Sequence, residues 1–164
     1  MIAVSADNAD DPSELRRLGV IAAALLLAAS ASGCMDSRDS LAHTCGAADQ
    51  KFLQRATLDV TALGVWAQDY RSGELGADEV AQEAFDAAQR VTLVKPNDPS
   101  LKKAQIYLDG MFNEYGKAVV LSAKGEDAGD RMFRAYSLAN FARDVLAEAQ
   151  PALQAEGCDV APLL

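Results

Sequence analysis

The sequence predicts an all-α protein, an antiparallel up-down-up-down four-helix bundle that follows a cleaved export signal. Three observations carry that expectation. Apolar residues recur at alternating spacings of three and four along four separate stretches, glycine or proline interrupts the chain between them, and nowhere does hydropathy alternate with the period of two that a half-buried strand needs. Composition agrees: half of the residues are hydrophobic but only 6% are aromatic, and alanine supplies much of the apolar count, which favours helix over strand.

The N-terminal region comes first. Residues 18–31, LGVIAAALLLAASA, are apolar and uncharged, with Arg16 and Arg17 before them and Ser32, Gly33 and Cys34 after them. A basic flank, an apolar run and small residues in that order read as a signal peptide over residues 1–33. The run falls short of the roughly 18–20 residues that span a bilayer as a stable helix, and a polar segment follows at once. The first 14 residues are acidic, unlike an ordinary signal start, and read as an upstream start or an added extension.

The segment Ala31-Ser32-Gly33-Cys34 resembles the lipobox of bacterial lipoproteins, with Ala31 standing where the motif usually has leucine. The resemblance covers only the N-terminal quarter of the chain. It implies transfer of a diacylglyceryl group to the Cys34 thiol, cleavage just before it, and anchoring to the cell membrane on its extracytoplasmic face. Residues 34–45 then read as the lipidated cysteine with a polar tether, and residues 46–164 as the bundle domain.

Within that domain the first helix is expected from Ala47 to Arg71, with Leu53, Ala56, Val60, Leu63, Ala67 and Tyr70 on its inner face. Gly73 and Gly76 break it. The second runs from Ala77 to Leu93 with Val80, Ala84, Ala88 and Val91 inward and Phe85 beside them, and Pro96 bars its continuation. Asp98 and Pro99 mark the third start, an acceptor side chain for the free amides followed by a residue whose missing N–H costs nothing there. Leu101, Ala104, Leu108, Met111, Tyr115, Ala118 and Ser122 continue that helix to Gly125. The fourth begins near Ala128 and places Met132, Ala135, Ala139, Ala142, Leu146, Ala149 and Leu153 inward, with a kink or break expected at Gln150, before Pro151, and a stop at Gly157. Gly110 and Gly116 are expected to allow close approach of neighbouring helices, which offsets roughly 1 kcal/mol each of lost helix propensity.

Cys45 precedes the first helix and Cys158 follows the fourth, and an even number of antiparallel helices returns the chain to its starting end. With Cys34 consumed by lipid, the remaining two are expected to pair in an oxidising compartment. Their wide separation in sequence suits a structural clasp better than a redox pair.

Residues 1–34 hold four acids and two arginines, so the remainder carries 20 acids against 13 bases, a net charge of −7. Such a surface repels phosphate backbones, so no nucleic acid is expected as a partner; membrane contact rests on the lipid anchor. The single histidine, His43, lies in the tether, which removes serine-histidine triads and the Glu-x-x-His metal pattern of bundles. Glycine-rich phosphate loops and zinc spacings are absent. Glu79, Glu83 and Asp86 share a helix face and read as a solvated row. Asn113, Asn140, Arg131, Arg134 and Arg143 are candidates for a partner-binding face. Tyr70, Tyr107, Tyr115, Tyr136, Trp66 and Met111 are candidates for an apolar pocket. The leading expectation is therefore a non-enzymatic lipoprotein of the cell envelope, without cofactor or metal, that meets an envelope protein partner. The alternative is a carrier of a small apolar ligand or haem within the bundle.

Overall fold

A computed structural model of the chain describes residues 44–164. The signal peptide over residues 1–33, Cys34 and the tether with His43 lie outside the described residues. What is described is a four-helix bundle: α1 (Ala47–Ser72), α2 (Ala77–Leu93), α3 (Pro99–Ala123) and α4 (Gly129–Ala155), followed by a short 3₁₀ turn, η1 (Ala161–Leu163). Among the described residues there is no strand, and no helix is long and apolar enough to cross a membrane.

The helix ends follow from local chemistry. Asp98 caps α3 by accepting hydrogen bonds from the Ser100 and Leu101 amides at 2.8 and 3.0 Å. Glu79 folds back to the Gly76 amide at 2.8 Å and closes the first turn of α2. At the end of α4, Gly157 takes φ +79°, a left-handed conformation that side chains resist. This lets the Cys158 amide reach the Leu153 carbonyl and the Gly157 amide reach that of Gln154, the paired bonds of a Schellman motif. Of the kink or break expected near Gln150, the break does not occur: α4 runs through Pro151 to Ala155. Proline forfeits one backbone bond there, and the cost falls in the last turn and a half, where packing of the buried Leu153 holds the chain.

Packing centres on α3, whose glycines sit where neighbours come closest. A Cβ added at Gly116 would lie 2.8 Å from the Phe85 ring of α2, and one at Gly110 would lie 3.1 Å from Leu138 of α4. Both expected close approaches are present, one on each side of α3. The main core gathers Phe52, Leu53, Ala56, Val91, Leu101, Leu108, Phe112, Leu146, Leu153 and Val160. A second, smaller cluster of Val80, Ala81 and Val119, with Tyr70, Phe85 and Tyr115 against it, occupies the region of the α1–α2 loop.

The edge between α1 and α4 is different. No α-carbon of α1 comes within 8 Å of one of α4. At one end this edge is closed by the Cys45–Cys158 disulfide, with Cα atoms 4.6 Å apart, and by η1, which packs against both helices. At the other end α4 supplies no residue to the second cluster, and its first buried side chain is Ala135. Met132, expected on the inner face, is accordingly 43% exposed, and Ser122 is exposed as well. Both sit where the stripe outruns its partner helix.

Candidate functional site

The unclosed end of the α1–α4 edge forms a cleft of about 440 Å³. α1 contributes Ala67, Tyr70 and Arg71; α3 contributes Tyr115, Ala118, Val119 and Ser122; the start of α4 contributes Ala128, Gly129 and Met132. The space exists because alanine, serine and glycine stand at positions where larger side chains would meet. Pockets for small ligands in proteins fall in the range of about 300–1,000 Å³, apolar with a few convergent polar groups, and this cleft is of that kind.

Burial pushes the Tyr115 hydroxyl above its ordinary pKa, and the neighbouring Tyr70 acts in the same direction while Arg71 opposes both. The phenol is thus protonated at neutral pH and available as a donor. Neither tyrosine hydroxyl has a hydrogen-bond partner, and Arg71 no carboxylate partner, among the described residues.

The other candidates are distributed elsewhere. Of the six proposed pocket residues the structure brings only Tyr70 and Tyr115 into this cleft. Met111 is core, Trp66 packs on both core clusters, and Tyr107 stacks obliquely on Phe141 with ring centroids 5.6 Å apart. Tyr136 is 67% exposed. The acidic row on α2 is occupied locally: Glu79 caps its own helix, Asp86 accepts from Gln82, and Glu83 faces Arg90 at 3.9 Å. Among the described residues no three His, Cys, Asp or Glu side chains converge as a metal site. Asn113 bonds to Asp109 within its own helix, and Arg131 pairs with Glu114 at 2.8 Å.

No protein-family model matches the chain, and neither a curated protein nor a solved structure matches it.

Two features escaped the sequence reading. Asp49 and Asp59 on α1 are buried carboxylates with structural work: Asp49 accepts from the Asn97 and Asp98 amides at 2.6 and 3.1 Å, and Asp59 binds Arg90. The second is an aromatic outer surface on the first turns of α4, where Phe133 is 71% exposed beside Met132 and Tyr136. Nothing in the spacing marks this surface, because consecutive bulky apolar residues are buried together elsewhere, as Phe52 with Leu53 and Met111 with Phe112 show.

Proposed function

We propose that the chain is an exported lipoprotein, anchored through lipid on Cys34, whose bundle is a non-enzymatic interaction module that meets an envelope protein partner through the start of α4. The observation that carries the partner-binding part is the exposed trio Met132, Phe133 and Tyr136, two aromatic rings and a methionine within five residues of one helix, whereas the exposed Leu58, Val65, Leu93 and Ile106 lie on other helices. Aromatic side chains and methionine are enriched at protein interfaces, and lysine and glutamate are depleted there. The anchor rests on the apolar run over residues 18–31 and the small residues before Cys34.

Two measurements test the reading. A metabolically incorporated fatty-acid analogue labels the protein, and Cys34→Ala abolishes the label and releases the domain from membranes; an unlabelled wild-type chain overturns the anchor. A photo-crosslinking residue at Phe133 or Tyr136, in cells, yields a discrete protein adduct that the same residue at exposed Gln89 of α2 does not. Equal adducts from all three positions, or none, overturn the interaction face.

A further inference from the structure

The cleft between α1, α3 and α4 carries chemistry that the interaction face does not use. Its walls are apolar, formed by Ala67, Ala118 and Met132 among others, while Tyr70, Tyr115 and Arg71 also line it, with Arg71 and Tyr70 close enough to act electrostatically on the Tyr115 hydroxyl. A second cleft, beside the disulfide, is lined by Leu53, Leu58 and Pro162 with Gln50, Gln54 and Asp159, and no lysine or arginine stands in its lining. A bundle of this acidity that sets beside two phenols an arginine with no carboxylate partner among the described residues, over an apolar hollow, presents a mixed surface with a definite charge preference.

We propose that this cleft binds a small amphipathic carboxylate, its hydrocarbon body against Ala67, Ala118 and Met132 and its carboxylate received by Arg71 and the hydroxyls of Tyr70 and Tyr115. Guanidinium is the side chain best matched to a carboxylate, because its planar N–H groups donate to both oxygens at once. The phenols add neutral donors, protonated at neutral pH as tyrosines ordinarily are, and burial moves Tyr115 further in that direction. Ala128 and Gly129 bring the N-terminal end of α4 to the same cleft, and the helix dipole there favours an anion. Asp127 occupies the Gly129 amide at 2.8 Å but leaves Arg71 free. The domain's net negative charge slows an anion's approach, yet at physiological salt it is screened beyond about 8 Å and does not decide the contact.

Calorimetric titration of the full chain carrying Cys34→Ala, so that no attached lipid competes, tests the proposal with four probes. Octanoate and 3-phenylpropanoate represent acyl and aromatic carboxylates; octanol and octylammonium share the apolar body without the carboxylate. At least one carboxylate binds about tenfold or more tighter than octanol, Arg71→Gln reduces that preference to near unity without changing octanol binding or melting temperature, and Met132→Trp weakens both by filling the hollow. Which carboxylate binds better identifies the source, fatty acyl or aromatic. Equal affinity for octanoate and octanol, an unaltered preference in Arg71→Gln, or no carboxylate binding up to about 10 mM overturns it. Arg71 is exposed, so its replacement leaves the fold intact and the result readable.

Discussion

Asp59 of α1 and Arg90 of α2 grip one another through a single oxygen: Oδ1 accepts from Nε and lies 3.0 Å from Nη2 as well. Oδ2, also buried, has no partner among the described residues. Asp59 is only 3% exposed, and Arg90, with Arg55 farther off at 3.8 Å, makes its charge tolerable inside the bundle. Arg90→Ala is expected to destabilise the domain by about 2–3 kcal/mol, somewhat below a fully buried pair because the guanidinium is partly in water. The double variant Asp59→Leu with Arg90→Met recovers most of that loss. Urea midpoints for Arg90→Ala and for the double variant check it; a double variant as weak as Arg90→Ala would refute the view that the cost lies in an orphaned charge.

Asp49 ties the start of α1 to the α2–α3 loop. Asp49→Ala leaves the Asn97 and Asp98 amides without their acceptor and is expected to cost about 1–3 kcal/mol. Amide exchange provides the sharper readout, since protection at those two residues falls while that of the core of α3 changes only with global stability.

Two glycines give opposite expectations for one substitution. Gly64 lies inside α1 with open space around its Cβ position, so Gly64→Ala stabilises by about 0.5–1 kcal/mol through helix propensity. Gly116→Ala gains the same propensity but drives a methyl to 2.8 Å from the Phe85 ring, and the net effect is a loss of about 1–3 kcal/mol. Thermal melts of both variants with an opposite sign of shift are the expected outcome.

The pH dependence follows from Glu114. Its carboxylate is held below the usual range first by the Arg131 hydrogen bond, with Lys117 adding to the effect against a smaller cost of burial. A lowered folded-state pKa contributes stability that is present above the unfolded value of 4.5 and is lost as pH falls through the folded one. Stability measured from pH 6 down to about 3 is therefore expected to fall less steeply in Glu114→Gln than in the wild type. Parallel curves would refute the assignment.

The disulfide spans 113 residues, and the chain-entropy model gives it at most about 4–5 kcal/mol. Reduction is expected to lower the melting temperature while leaving the far-ultraviolet signature of helix, since the core of Phe52, Leu101, Phe112 and Leu146 does not depend on the bridge. Loss of all helicity on reduction would show that this core is insufficient.

Sequence periodicity carried most of the fold because the breakers are strong. Gly76 and Pro96 bound α2 at the positions found, Asp98-Pro99 starts α3, and the cysteine pairing follows from helix parity. Periodicity failed where an apolar stripe has no helix opposite it. Met132 has the right spacing for a core residue, but the start of α4 adds no side chain to the second cluster and borders the open cleft instead. Asp49 and Asp59 were illegible for a related reason: a charged residue signals solvent until a specific donor, the loop amides or Arg90, is known to meet it. The cleft shares that character, since Tyr70 and Tyr115 were visible as candidates but Arg71 and the small residues that leave it open were not.

Because Cys45 is bonded to Cys158, tension entering the domain along the chain at Thr44 does not load α1 alone. It passes through the sulfurs to the far end of α4, so the outermost helix cannot be peeled away turn by turn from its N-terminus. For a pull between Thr44 and a point beyond Cys158, the chain between the two cysteines, 113 positions apart, is withheld from stretching, roughly 400 Å of contour. Between those two points the domain acts as a short, inextensible link.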